Sequence, residues 1–404
     1  MINCHALTDI GKKRKNNEDD YLCNADIGLF VVADGVGGRA HGEIASAMTI
    51  EAFEDSQEKV KKYTKQFIEN PGRQTRDKML NIIDDICQLA SSNVYEMAEQ
   101  KQYKGMTTTV VLTIIAGGYA FIAHVGDSRV YVLRDDKLHQ LTEDHSMVNE
   151  LVRSGQMTRE QASQGPYRNV IVRAVGMQPN IKTDVAVLEL IAGDRLVLCS
   201  DGLSDPLPSN DIAKITSKGE PRVAVENLIQ AALDAGGPDN VTAIVIEPVL
   251  ETKNNDAMAR VKAMQEFFLF KGLPFNVLVR VSRMVSEMPV ETGQVIVEQG
   301  SLGQCMYVVV KGTYLVEHNN VALSTFGEGD HFGELSLVDN QPRSASVIAK
   351  EEGSLICIDR QALDKFCQRE PELGCTIVWK LSETIASRLR SSNVRLTNLE
   401  HDCS

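Results

Sequence analysis

Four aspartates stand beside small or turn-forming residues at the ends of apolar runs: Asp34 in Phe30-Val31-Val32-Ala33-Asp34-Gly35, Asp127 in His124-Val125-Gly126-Asp127-Ser128-Arg129, Asp201 in Leu198-Cys199-Ser200-Asp201-Gly202, and Asp239 in Gly236-Gly237-Pro238-Asp239-Asn240. Near the N-terminus lies Arg14-Lys15-Asn16-Asn17-Glu18-Asp19-Asp20. Any one of these aspartates alone reads as a turn residue. As a set they read differently. Strand ends of one sheet converge, and converging carboxylates repel unless a cation sits among them. Hard oxygen ligands without a Cys or His cluster point to Mg²⁺ or Mn²⁺ rather than zinc. The eight histidines are dispersed, and no H-E-x-x-H occurs. No Cys-x₅-Arg run occurs either, which argues against a cysteine nucleophile. Arg14 offers a planar fork matched to phosphate oxygens. Its neighbours Lys12, Lys13 and Lys15 read as a solvated loop.

A second constellation lies near the other end: Phe332-Gly333-Glu334-Leu335-Ser336-Leu337, then Pro342-Arg343-Ser344-Ala345-Ser346-Val347. Gly333-Glu334 can open a short helix with free N–H groups facing an anion. Arg343 can pair with a phosphate, and Glu334 can accept from a ribose hydroxyl. In isolation the pair reads equally as a salt bridge across a turn.

The elements that must position these groups are legible in part. Runs rich in Val, Ile and Thr predict strands at 29–33, 109–115, 119–125, 129–133, 195–200 and 242–247. Gly117-Gly118 predicts a hairpin turn. Helical spacing predicts helices over 43–59, 76–99 and 221–235, the last with Pro at its start and Gly-Gly past its end. The polar stretch 251–256 reads as the start of a linker. From about Thr292, short Gly-punctuated strands at 295–298, 306–310, 313–317, 344–349 and 355–358 predict a small β-roll or barrel. The tail 376–399 is helical in pattern.

The 404 residues leave room for two or three domains. A net charge of −13 argues against nucleic acid as the main partner. No apolar run reaches the length of a membrane span, and the N-terminus lacks a secretory pattern. Nine scattered cysteines without a C-x-x-C pair fit a reducing compartment. The expectation is a cytoplasmic protein with no membrane partner.

Seven motifs now stand in register: Arg14-x-x-Asn17-Glu18-Asp19, Ala33-Asp34-Gly35-x-Gly37-Gly38, Gly105-Met106-Thr107-Thr108, Val125-Gly126-Asp127-Ser128-Arg129, Leu141-Thr142-x-Asp144-His145-Ser146, Ser200-Asp201-Gly202 and Gly237-x-Asp239-Asn240. Over residues 1–248 the chain resembles the PPM (type 2C) family of metal-dependent protein phosphatases. The resemblance implies an α-β-β-α sandwich with a two-metal site at one end. It implies that Asp34 bridges two Mn²⁺ or Mg²⁺ ions, that Asp201 and Asp239 complete the first ion's shell, and that the Gly35 carbonyl and Glu18 serve the second. Asp127 with Asp201 would hold a third ion, and Arg14 would grip the substrate phosphate. A metal-activated water would hydrolyse phosphoserine or phosphothreonine in proteins without a covalent intermediate. The sequence departs from many eukaryotic relatives in having Val36 where they carry a proposed acid, His. His41 reads as a helix-start residue and His145 as structural. Residues 146–173 would form the variable flap.

Val297-x-x-Gly300, Met306-Tyr307-x-Val309-x-x-Gly312, Gly327-x-Gly329-Asp330-x-Phe332-Gly333-Glu334 and Pro342-Arg343-Ser344-Ala345 resemble a cyclic nucleotide-binding domain over residues 265–390. That implies Arg343 on the cyclic phosphate and Glu334 on the ribose 2′-OH, with further contacts from Gly333, Leu335 and Ser344. It favours cAMP over cGMP. The domain expectation is therefore phosphatase 1–248, linker 249–264 and nucleotide-binding domain 265–404, an α+β protein throughout. A nucleotide-sensing pseudophosphatase is the alternative, and the intact set of acidic metal ligands counts against it. An enzyme acting on the nucleotide itself fits poorly, because the two motif sets occupy separate domains.

Overall fold

β-Branched apolar runs in the first part of the chain form two antiparallel sheets, and the turn residues between them set the strand order. The computed structural model describes residues 1–36, 41–103, 105–158, 161, 170–250, 255–339 and 341–402. It divides into two units, Met1–Asn254 and Asn255–Ser404.

In the first unit, one sheet runs β2 (Asp19–Asn24), β3 (Leu29–Val36), β5 (Val110–Ala116), β6 (Tyr119–Val125) and β9 (Asp184–Glu189), with β4 (Thr107–Thr108) beside β3. The other runs β1 (Ile2–Asp9), β11 (Val241–Pro248), β10 (Arg195–Cys199), β7 (Arg129–Arg134) and β8 (Lys137–Gln140). Alternation decides which layer each face meets. Leu29, Val31 and Ala33 share a core with α1 (Gly42–Asp55), α2 (Gln57–Glu69) and α3 (Arg73–Lys101). Phe30 and Val32, on the opposite face of β3, are fully buried. In the second sheet Val197 and Cys199 pack with α7 (Pro221–Asp234), while Leu196 and Leu198 are fully buried on the other face. Sheets buried on both faces, each with its own helical layer, make the α-β-β-α sandwich.

Two sequence expectations differ from this. The helix expected over 43–59 is two helices, α1 and α2, which meet at Ser56 (φ −91°, ψ 0°). The Ser56 N–H there turns to the Phe53 and Glu54 carbonyls, ending α1 before α2 begins. Strands β1, β2, β4, β8 and β9 have no counterpart among the expected strands. β1, β2, β8 and β9 are the edges of their sheets, and β1, β2 and β8 are mostly half-buried with no continuous apolar run.

In the second unit, two four-stranded antiparallel sheets form the roll: β12 (Val285–Val290), β19 (Gly353–Asp359), β14 (Cys305–Lys311) and β17 (His331–Phe332) in one, β13 (Val295–Val297), β18 (Ser346–Ala349), β15 (Tyr314–His318) and β16 (Val321–Phe326) in the other. Helices flank it: α8 (Asn255–Glu266) and α9 (Phe275–Val281) before, α10 (Arg360–Arg369) and α11 (Pro371–Asp402) after. Residues 255–264, read as linker, form most of α8, because Ala259, Ala263 and Met264 pack on the roll's core. Residues 251–254 of the linker expectation lie outside the described residues. Among the described residues no helix is long and apolar enough to cross a membrane.

Candidate active site and nucleotide pocket

The carboxylates of the phosphatase unit come together because strand pairing aligns their strand ends. Asp19 and Asp34 are direct cross-strand partners between β2 and β3. Asp201 follows β10 at the start of α5 (Asp201–Ser204), and Asp239 precedes β11, the neighbour of β10. Asp127 sits in the turn between β6 and β7.

Hydrogen bonds anchor Asp34 and the loop that carries Arg14. Thr108 Oγ1 and the Thr109 N–H both donate to the Asp34 carbonyl at 2.8 Å, and the Asp34 N–H donates to Thr109 Oγ1. The Thr109 hydroxyl in turn meets that of Ser128 at 2.7 Å, tying Asp34 to the Asp127 turn. Asn240 holds the Arg14 loop: its Nδ2 donates to the carbonyls of Ile10 and Asn16, and its Oδ1 accepts from the Glu18 N–H at 2.9 Å. Two glycines are sterically required. A Cβ on Gly35 would stand 2.4 Å from Gly42 backbone and 2.6 Å from the Glu18 carbonyl. One on Gly202 would stand 1.8 Å from the Asn240 carbonyl.

Electrostatically the cluster is strained. Burial, then the charges of Asp19, Asp201, Asp127 and Asp239, hold the Asp34 carboxyl well above its usual range. Asp201 is held well above its range by burial, then by Asp127, Asp205, Asp239 and Asp19. Burial pushes Asp19 and Asp127 each up to about 6. Asp19 Oδ2 accepts from Ser200 and Thr242 hydroxyls, but its Oδ1 is buried without a hydrogen-bond donor. Arg14 Nη2 donates to Asp239 Oδ2 at 2.6 Å. Burial would lower the Arg14 pKa, but that bond and the charges of Asp239, Glu18 and Asp201 raise it on balance.

The donor set fits hard divalent cations. It is all oxygen, short of positive charge, and contains a buried oxygen that no protein group satisfies. The structure brings together Arg14, Glu18, Asp34, Gly35, Asp127, Asp201 and Asp239, the residues expected from sequence. It adds Asp19 and Asp205. Asp19 had a signal, since it stands next to Glu18, but only the β2–β3 register shows that it turns inward. Asp205 lies in the first turn after α5 and carried no motif. The motif glycines Gly37 and Gly38, and flap residues 159–160 and 162–169, lie outside the described residues.

His41 precedes α1 with φ 63°, and its ring lies 4.0 Å from that of Tyr103. His145, with His124 and Asp184, forms a group whose ligand atoms all lie within 4.8 Å. Its surroundings disfavour a metal. His145 Nδ1 accepts from the Gly126 N–H at 3.0 Å, and Arg173 Nη1 stands 2.9 Å from His145 Nε2 and 3.0 Å from Asp184 Oδ1. A guanidinium already supplies the positive charge there. His145 thus braces the backbone just before Asp127.

In the second unit, Gly333 (φ 79°) leads into the short turn Glu334–Leu337. Arg343 Nη2 donates to the Cys305 carbonyl at 2.6 Å and Nη1 to the Gly333 carbonyl at 3.2 Å. Arg343 lines an open cavity of about 430 Å³ with Gly303, Cys305 and Tyr307, within the range of small-molecule sites. Glu334 is buried. Its Oε1 is held by Arg388 of α11, whose Nη2 also reaches His331. Its Oε2 is buried without a partner. Leu335 and Ser344 are exposed beside it. Arg388 was missed from sequence: it lies 54 residues from Glu334, on a helix whose pattern showed only a packing stripe.

A sandwich whose strand ends gather acids beside Arg14, in need of hard cations, defines a metal-dependent phosphoester hydrolase. The comparisons are more specific. Residues 11–234 match the protein phosphatase 2C family, and residues 287–370 match the cyclic nucleotide-binding domain. The protein phosphatase PhpP of Streptococcus pneumoniae is 33% identical over 252 residues, covering 59% of this chain and 95% of that protein. The serine/threonine phosphatase stp of Listeria monocytogenes is 34% identical over 255 residues, covering 62% of this chain and 97% of that one. The catalytic domain of the serine/threonine phosphatase PstP, crystallised with two manganese ions, superposes with a TM-score of 0.52 at 35% identity, over 61% of this chain and 97% of that chain. The chain belongs to the protein phosphatase 2C family and is a metal-dependent serine/threonine protein phosphatase with a C-terminal cyclic nucleotide-binding domain.

Proposed function

We propose that residues 1–248 hydrolyse phosphoserine and phosphothreonine in proteins by direct attack of water, and that a cyclic nucleotide bound within residues 265–404 sets the rate. Asp34, Asp201 and Asp239 would hold one Mn²⁺ or Mg²⁺ ion, and Asp34 with the Gly35 carbonyl and Glu18 would hold a second. Asp127 with Asp201 would hold a third, and Asp19, the cross-strand partner of Asp34, would orient its carboxylate. The ions, when bound, acidify water and neutralise phosphate charge. The protein's own part is positioning. Arg14 presents its fork to the phosphate oxygens, and Asn240 keeps the loop that carries it in register with Asp239. Val36 lies where many eukaryotic relatives have an acidic imidazole, so the leaving oxygen takes its proton from solvent rather than from that position. The observation that carries this reading is the mutual repulsion of Asp19, Asp34, Asp127 and Asp201, with the orphaned Asp19 oxygen among them.

Arg343 takes the cyclic phosphate, and Glu334, whose buried Oε2 has no partner within the protein, accepts the ribose 2′-OH. Gly333 and Leu335 lend backbone groups, and the Ser344 hydroxyl adds a contact. We favour cAMP over cGMP. A cytoplasmic location agrees with these soluble substrates. The test is turnover of p-nitrophenyl phosphate and phosphopeptides in Mn²⁺. Asp34→Ala is expected to lower kcat by about 10³-fold or more, the scale of losing a metal-held charge clamp. Wild-type rates in that variant would overturn the assignment.

A further inference from the structure

Strands β1 and β2 are edges of different sheets, and neither pairs with the other through its backbone. The sandwich nonetheless lays them side by side. At one end, the Thr242 hydroxyl meets Thr8 Oγ1 and also donates to Asp19 Oδ2, each at 2.7 Å. At the far end, the sulfurs of Cys4 and Cys23 are 3.5 Å apart. Both thiols are half-buried, within reach of a small oxidant. A disulfide needs a separation near 2.05 Å, so the sulfurs must close by about 1.5 Å, a distance that side-chain rotation can cover. The second thiol pair, Cys305 and Cys357, differs in kind: it lies on β14 and β19, which a backbone ladder already joins.

We propose that Cys4 and Cys23 are an oxidative modification site, closing reversibly to a disulfide that staples the two sheets along their open edge. Burial, then the neighbouring Cys4, pushes the Cys23 thiol up to about 12, which gives Cys23 the resolving role in the pair. With a peroxide as oxidant, the Cys4 thiolate attacks one peroxide oxygen and the O–O bond breaks. This leaves a sulfenic acid on Cys4 and releases water, or the alcohol of an organic peroxide. The Cys23 sulfur then attacks the Cys4 sulfur, the S–O bond breaks, and a second water departs with the Cys23 proton. Dithiol is oxidised by two electrons and peroxide is reduced by two. The closed ring contains Arg14, Glu18 and Asp19, at the opposite end of the strands from the sulfurs. The expected gain is therefore in resistance to unfolding, with little change in turnover.

The test treats the full chain with hydrogen peroxide, blocks remaining thiols by alkylation and maps tryptic peptides. We expect the peptides 1–12 and 16–39 to appear joined, two hydrogens lighter than their sum, and to separate with dithiothreitol. The melting temperature should rise by about 5–10 °C, as for closure of a short loop in a domain of this size. Cys4→Ser and Cys23→Ser should each abolish both effects. The proposal is overturned if wild-type protein yields Cys4 as sulfinic acid or both cysteines alkylated without the joined peptide. It is equally overturned if Cys4→Ser keeps the thermal shift.

Discussion

The two sites of this chain handle charge in opposite ways. In the phosphatase unit, Asp19, Asp34, Asp127 and Asp201 face one another, and Arg14 is drawn to Asp239 at their rim. In the nucleotide pocket, every charge named above is already answered: Arg343 by two carbonyls, Glu334 by Arg388. Among the described residues of that pocket, Glu334 Oε2 is buried without a hydrogen-bond partner. The first site is electrostatically unfinished until cations arrive. The second already answers its charges within the protein. Cation binding should therefore be felt as a large gain in stability, and nucleotide binding as an exchange of partners with a smaller one.

The strongest way to break this contrast is at Arg343. Arg343→Ala removes the cation that lines the cavity described above, and calorimetry should show cyclic nucleotide affinity falling by about 100-fold, the worth of a charge-assisted bidentate contact. Unchanged affinity would place the ligand elsewhere. Next is the effect of ions on unfolding. Manganese at about 100 times its dissociation constant should raise the midpoint of the phosphatase unit by several degrees, through about 2.7 kcal/mol of linkage. Chelation should reverse it. Asp34→Asn should raise the midpoint of ion-free protein by relieving repulsion, while removing the manganese response. A lowered midpoint in ion-free Asp34→Asn would contradict the charge excess. The smallest effect belongs to Arg388. Arg388→Met leaves Glu334 buried without its cation and should weaken nucleotide binding by about 5- to 10-fold, since Oε2 remains as acceptor but is no longer oriented. Phosphatase rates with and without cAMP, in wild type and Arg343→Ala, then report whether the two sites communicate.

The contrast also marks what the sequence discloses. Asp34, Asp127 and Asp201 are legible because each ends an apolar strand beside a small residue, so local pattern and site coincide. Strand boundaries such as Tyr119–Val125 follow for the same reason. What escapes is what pairing decides. Strands β1 and β2 lack a continuous apolar run because an edge strand is half solvated. Asp19 turns inward only through its register with Asp34. Asp205 and Arg388 join their sites through helices, where residues far apart in sequence meet without a motif to announce it.

Asn240 and the loop it clamps have a consequence for how the enzyme comes into being. The first strand of the phosphatase unit lies against its last, residue for residue from Ile2–Pro248 to Asp9–Val241. The arginine loop at the beginning is held by a side chain from near the end. A ribosome that has delivered the first 230 residues has thus delivered no usable centre. Arg14 therefore takes its place only once Asn240 and the closing strand are seated, so removing that strand is expected to silence the centre as a whole.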